Sequence, residues 1–183
     1  MSGQDQNAAL RKRLQDVTEA ESESEYLALF NATSRDVPNS MVLLASPIPI
    51  KRYTCLMYVL GFTENPEYIA IAARGFNVVY AGPTFAHWLL EKQLVTEIVE
   101  SVAESGDMVF YFNMGGRFKH AGLYIGRHRV ESKWGLGHLF QHDLFEVPES
   151  YGESVSFFKK LPCRTAIEYF KEFARDNGMH LEG

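Results

Sequence analysis

Two cysteines, Cys55 and Cys163, and six histidines carry the side chains best suited to nucleophilic or metal chemistry in this 183-residue sequence. Four of the histidines (His120, His128, His138 and His142) fall in one stretch, "GDMVFYFNMGGRFKHAGLYIGRHRVESKWGLGHLFQH", residues 106 to 142. Cys55 stands at the expected start of a helix, just after Lys51 and Arg52, where helix N–H groups and neighbouring cations favour thiolate over thiol. His120 opens an expected strand straight after the "NMGGRF" turn, so its ring could project from a strand end into a cleft bounded by that helix. A cysteine at a helix start with a histidine on a strand is an arrangement in which imidazole can activate sulfur for acyl transfer. On spacing alone, a core cysteine and a surface histidine are the commoner explanation.

The other candidates have competing explanations. His138 and His142 are four residues apart, with Asp143 and Glu146 nearby, so on a helix they could share a face and ligate a metal. Gly135 and Gly137 argue against a regular helix there, which leaves loop histidines bonded to backbone; no metal and no cofactor is expected. Trp134 reads as a packing residue under the sheet end, His128 as a solvated turn residue, His87 as a half-buried helix residue, and Lys133 as the partner of a local carboxylate. Cys163, after Pro162 at the start of the last expected helix, is the rival nucleophile. No Cys-x-x-Cys spacing exists, and two cysteines make no disulfide framework.

The elements that must position these groups divide the chain. Residues 4–30, "QDQNAALRKRLQDVTEAESESEYLALF", place Leu10, Leu14, Val17, Tyr26, Leu27 and Phe30 among charges, which predicts a peripheral helix with an amphipathic end. A loop rich in Asn, Ser and Pro follows, with a short apolar patch at Met41–Leu44. "CLMYVLGF" predicts a short helix closed by Gly61, and Pro66 and Pro83 each open a further helix. "DMVFYFN", "KHAGLYIG", "RVESKW" and "SVSFFKK", with the less regular "LVTEIVE", predict an antiparallel sheet of four to six strands. "PCRTAIEYFKEFARDNG" closes the chain as a helix between Pro162 and Gly178. Segregated helices and strands imply an α+β fold, with an N-terminal helix and loop extension over residues 1–40 and one domain over 41–183.

Composition narrows the function. With 46% hydrophobic and 13% aromatic residues the chain can bury a real core. The apolar runs are far shorter than the roughly 18 residues of a membrane span, and no apolar leader segment is present, so a cytoplasmic protein is expected. A net charge of −5 with no basic cluster longer than "RKR" at 11–13 argues against nucleic acid or anionic membrane as a partner. A small molecule or a peptide fits better, and the oligomeric state is left open.

"GDMVFYF…KHAGLYIG" resembles the Gly-Asp strand and the His-x-Gly-aliphatic-Tyr-aliphatic-Gly strand of the NlpC-like branch of papain-like cysteine peptidases and amidases. "TCLMYVLG" resembles the Cys-bearing helix of that branch. More narrowly, "TCLMYVLGF", "ESKWGLGHLFQHDL" and "YGESVSFF" are similar to an uncharacterised bacterial family related to it, and the likeness spans about Tyr53 to Phe158. It implies a papain-like α+β fold with a Cys55/His120 dyad. Permuted relatives, in which Cys follows His, would use Cys163 instead. Thr54 stands where the narrower family has Asn, and Ser132 stands twelve residues after His120, where NlpC-like enzymes place an orienting residue, usually His. Glu131, His138 and His142 are the replacements within reach, and His142 is favoured because it coincides with a later His of the narrower family. The implied function is a cysteine hydrolase acting on a peptide, isopeptide or other amide. Acyl or thioester transfer on the same dyad is the alternative, or an inactive binding module.

Overall fold

The computed structural model describes residues 3–73, 79–135 and 137–179. In chain order these form α1 (Gly3–Thr18), α2 (Glu23–Asp36), β1 (Val42–Leu44), α3 (Cys55–Val59), α4 (Pro66–Ala73), α5 (Pro83–Glu91), β2 (Glu97–Ile98), β3 (Met108–Phe112), β4 (Phe118–Gly126), β5 (Arg129–Lys133), β6 (Leu139–Asp143), β7 (Ser154–Phe158) and α6 (Cys163–Asp176). The strands make one antiparallel sheet in the order β1, β6, β5, β4, β3, β7, β2. The fold is therefore α+β, with seven strands among the described residues rather than four to six.

Each face of the sheet carries its own core. Met108, Phe110, Phe118, Ala121 and Phe158 meet residues of α3, α4, α5 and α6 on one face. Val109, Tyr111, Tyr124, Val130, Trp134 and Phe140 meet Leu10, Leu14 and Val17 of α1 and Tyr26 and Phe30 of α2 on the other. This explains why β3 reads as an unbroken apolar run: alternate residues point to opposite cores, and both are dry. Helix α6 buries Ala166, Ile167, Phe170, Phe173 and Ala174, one helical stripe, with Phe85 of α5 lying 5.3 Å from Phe170 and 5.2 Å from Phe173 between ring centroids.

Three expectations need correction. The single N-terminal helix is two, because Ser22 caps α2 by accepting the Glu25 N–H at 3.2 Å while the Glu25 carboxylate takes the Glu21 N–H at 2.9 Å. The apolar patch in the Pro-rich loop is an edge strand, β1, paired with β6 from Val42↔Gln141 to Leu44↔Leu139. The segment expected to hold loop histidines contains β6, so His142 is a strand residue and fully buried.

The register of β4 shapes the site. Its pairing with β3 runs as far as Phe118↔Phe112, whereas its pairing with β5 stops at Leu123↔Glu131. The Tyr124 N–H bonds Asp107 O on the β3 side, so by antiparallel alternation the Ala121 N–H points the other way, past the end of the β5 ladder. Gly122 permits this close approach: a Cβ there would lie 2.3 Å from Val130 Cγ1 and 3.0 Å from Ser132 Cβ.

Candidate active site

Helix α3 begins at Cys55 because Thr54 caps it. The Thr54 hydroxyl accepts the Met57 N–H at 3.1 Å and donates to Ala81 O at 2.7 Å, so it is fully engaged as a structural group. The Tyr58 hydroxyl donates to the Glu131 carboxylate and ties α3 to β5. The Cys55 thiol is thereby held against β4. Burial pushes its pKa up; the Ala121 N–H, the Lys133 ammonium and the N–H groups of Leu56 and Cys55 itself pull the other way. Lys51 and Arg52, the cations expected from the sequence, are exposed and are not among the groups acting on the sulfur. The cation beside Cys55 is Lys133, which was expected to meet a carboxylate. Its Nζ instead donates to Gly135 O at 2.7 Å and Gly137 O at 3.0 Å.

His120 neighbours Ala121 on β4 but belongs to the other side of the strand, directly opposite Tyr111, with ring centroids 5.4 Å apart. Its ring stacks on Tyr151 at 4.0 Å and 23°. Arg11 of α1 secures the turn that carries Tyr151, donating to Val147 O at 3.2 Å and Gly152 O at 2.5 Å. His120 is 1% exposed, and its Nε2 has no hydrogen-bond partner. Burial holds its pKa well below the ordinary value, with His142 and Lys133 adding to the effect. The imidazole is therefore neutral at neutral pH. The Tyr151 hydroxyl is likewise buried, with the Gly135 backbone as its polar neighbour, and Cys55 lies close enough to act on it electrostatically.

The residues considered as orienters each have partners of their own. His142 Nδ1 faces Asp143 O at 2.9 Å, and a carbonyl only accepts, so Nδ1 carries the proton and Nε2 is the acceptor. Ser132 Oγ, 2.7 Å from Nε2, is then the donor, and it accepts the Trp134 indole N–H at 3.1 Å. Both His142 nitrogens are thus engaged, and the residue acts on His120 only through space. Glu131 is held by Tyr58. His138 Nε2 lies 3.6 Å from a Glu23 carboxylate oxygen.

The remaining candidates are accounted for locally. Glu146 takes the N–H and hydroxyl of Ser40 and the N–H of Asp143, so it does not converge with His138 and His142. Among the described residues no cluster of three or more His, Cys, Asp or Glu side chains could hold a metal ion. Trp134 is fully buried against Phe140 at 4.4 Å, a packing residue, and the exposed His128 pairs with Glu100 at 2.6 Å. Cys163 donates its thiol to Gly61 O at 3.3 Å, and the charged groups acting on it are Glu64 and Lys160. Cys55, not Cys163, is therefore the cysteine beside β4.

Sequence reasoning missed Lys133 and Tyr151 as members of this cluster. The Tyr151–Gly152 turn was legible, but nothing local said that its ring would cover His120. No helix among the described residues is long and apolar enough to cross a membrane. Comparison of the chain with protein-family models, with curated proteins and with solved structures finds no match in any of the three.

Proposed function

We propose that the protein is a papain-like cysteine hydrolase of the NlpC-like type, cleaving an amide bond of a peptide, isopeptide or small molecule with Cys55 as nucleophile and His120 as base. The observation that carries this reading is the position of the Cys55 sulfur at the first turn of α3, against the backbone of the residue that follows His120, where the β4–β5 ladder has ended. The Cys55 thiol and His120 Nε2 are not hydrogen-bonded at rest; in the substrate complex the ring reaches the thiol and takes its proton as sulfur attacks the carbonyl carbon. The backbone N–H groups at the start of α3 face the developing oxyanion. The amine leaves with the proton from His120, and water then hydrolyses the thioester, releasing the acid and restoring the thiol.

The thiol raised by burial and the imidazole lowered by it make the resting pair neutral. Proton transfer creates two charges that stabilise each other, so ionisation belongs to the reacting state. If an amine or thiol replaces water in the second step, the same dyad performs acyl transfer. The unpartnered Nε2 of His120 favours a second reading, an inactive cleft that binds a ligand. Turnover of a panel of acyl-aminocoumarin amides separates these readings. Hydrolysis that is lost in Cys55→Ala supports the hydrolase, and no turnover of any member favours the binding module.

A further inference from the structure

A lysine side chain with no exposed surface is rare, and it normally faces a carboxylate. Lys133 is 0% exposed. Among the described residues no carboxylate pairs with it; two carbonyls, Gly135 O and Gly137 O, and the face of the Tyr53 ring, 4.8 Å from Nζ, are its partners. An ammonium has three N–H donors, and two go to the carbonyls. Tyr53 itself is fixed through its hydroxyl, 2.6 Å from Ser46 Oγ, and stands two residues before Cys55. The cation is therefore held by the loop that follows it and by the Tyr53 ring, close enough to the Cys55 thiol to act on it electrostatically.

We propose that Lys133 is a third member of the reactive centre: its buried ammonium is the counter-charge that holds Cys55 as a thiolate once the thiol proton has left. This rests on the reading of Cys55 as a nucleophile but not on the identity of the bond cleaved. The groups facing Lys133 are Cys55 from α3, the Tyr53 ring before it, His120 from β4 and His138 from the loop before β6. The two histidines are both lowered by burial and stay neutral near pH 7, and Glu131 on its own strand is engaged by Tyr58. Among the described residues, Cys55 is thus the one group beside Lys133 that acquires a negative charge during the reaction. Burial brings Lys133 down to about 8, and Cys55 opposes that fall. The interaction is reciprocal: each group's charge favours the other's.

The test measures alkylation of Cys55 by iodoacetamide against pH, with the adduct located by peptide mapping so that Cys163 does not contribute. Each unit of rise in the thiol pKa lowers the thiolate fraction about tenfold below that pKa. Lys133→Gln, which keeps a donor but no charge, should slow alkylation at pH 8 by about tenfold or more, and Lys133→Arg should restore it to within about threefold of wild type. An unchanged profile in Lys133→Gln would overturn the proposal. Should the glutamine variant not fold, the Lys133 side chain is titrated by NMR in wild type and in Cys55→Ala; a lower Lys133 pKa in Cys55→Ala is expected, and an equal one overturns the proposal. Charge-dependent alkylation without amide turnover would sink the hydrolase reading alone, while amide turnover with a flat Lys133→Gln response would sink this proposal alone.

Discussion

Acid should destabilise this protein well above the carboxylate range, and His142 gives the magnitude. Burial brings its pKa from 6.5 to about 4. Desolvation of the imidazolium is the main cause, with the Arg129 charge adding to it, while the Asp143 carbonyl and carboxylate pull the other way. Between these two values the unfolded chain binds a proton that the folded chain excludes, so stability is complete above about pH 6.5 and falls as pH drops towards 4. The loss from His142 is roughly 2 kcal/mol between pH 7 and pH 5 and roughly 3 kcal/mol by pH 4. His120, also lowered, acts in the same direction. Urea unfolding followed by tryptophan fluorescence at pH 7 and pH 5 measures the loss. In His142→Gln the difference between the two pH values should shrink by roughly 2 kcal/mol, whatever the variant costs at pH 7. A wild-type stability flat across this interval, or an equal pH loss in the variant, would refute the reasoning.

Other consequences concern the site's construction. His120→Ala should slow amide turnover by a factor on the order of 10² to 10⁴ while the domain stays folded, checked by steady-state rates beside far-ultraviolet circular dichroism; full activity would remove His120 from the mechanism. Gly122→Ala forces a Cβ to within 2.3 Å of Val130 Cγ1, so it should cost about 1–3 kcal/mol and slow Cys55 alkylation by displacing β4 from α3. A neutral effect on both would show that the strands have slack there.

Much of the fold was legible, and the misses share a cause. The stripe of α6, the proline starts of α4 and α5, and the left-handed Gly61 that follows α3, with φ of 73°, are all local signals. Strands β1 and β2 are three and two residues long and exist through the partners they join at the sheet edges, which no window of sequence reveals. The break between α1 and α2 was written in Ser22 and Glu25 but hidden by the surrounding acidic run. Of the site, Cys55 and His120 stood out by type and motif. Lys133 did not, because a lysine at a strand end reads as the partner of a local carboxylate unless one knows that Tyr53 and two glycine carbonyls enclose it. His142 was favoured because it coincides with a later His of the narrower family that the chain resembles, and its engagement by Ser132 and Asp143 O depends on the pairing of β5 with β6.

The central claim is that Cys55 is a nucleophile served by His120, and covalent capture tests it most directly. The 183-residue protein, Cys55→Ala, Cys163→Ala and His120→Ala are treated at about neutral pH, where a neutral imidazole can accept the thiol proton, with an acyl probe that reacts with activated thiols. The adduct mass is then assigned by peptide mapping. The account predicts stoichiometric acylation at Cys55 in the wild type and in Cys163→Ala, none in Cys55→Ala, and capture slowed by about a hundredfold or more in His120→Ala. Acylation at Cys163, or capture at Cys55 that proceeds at the same rate without His120, would contradict it.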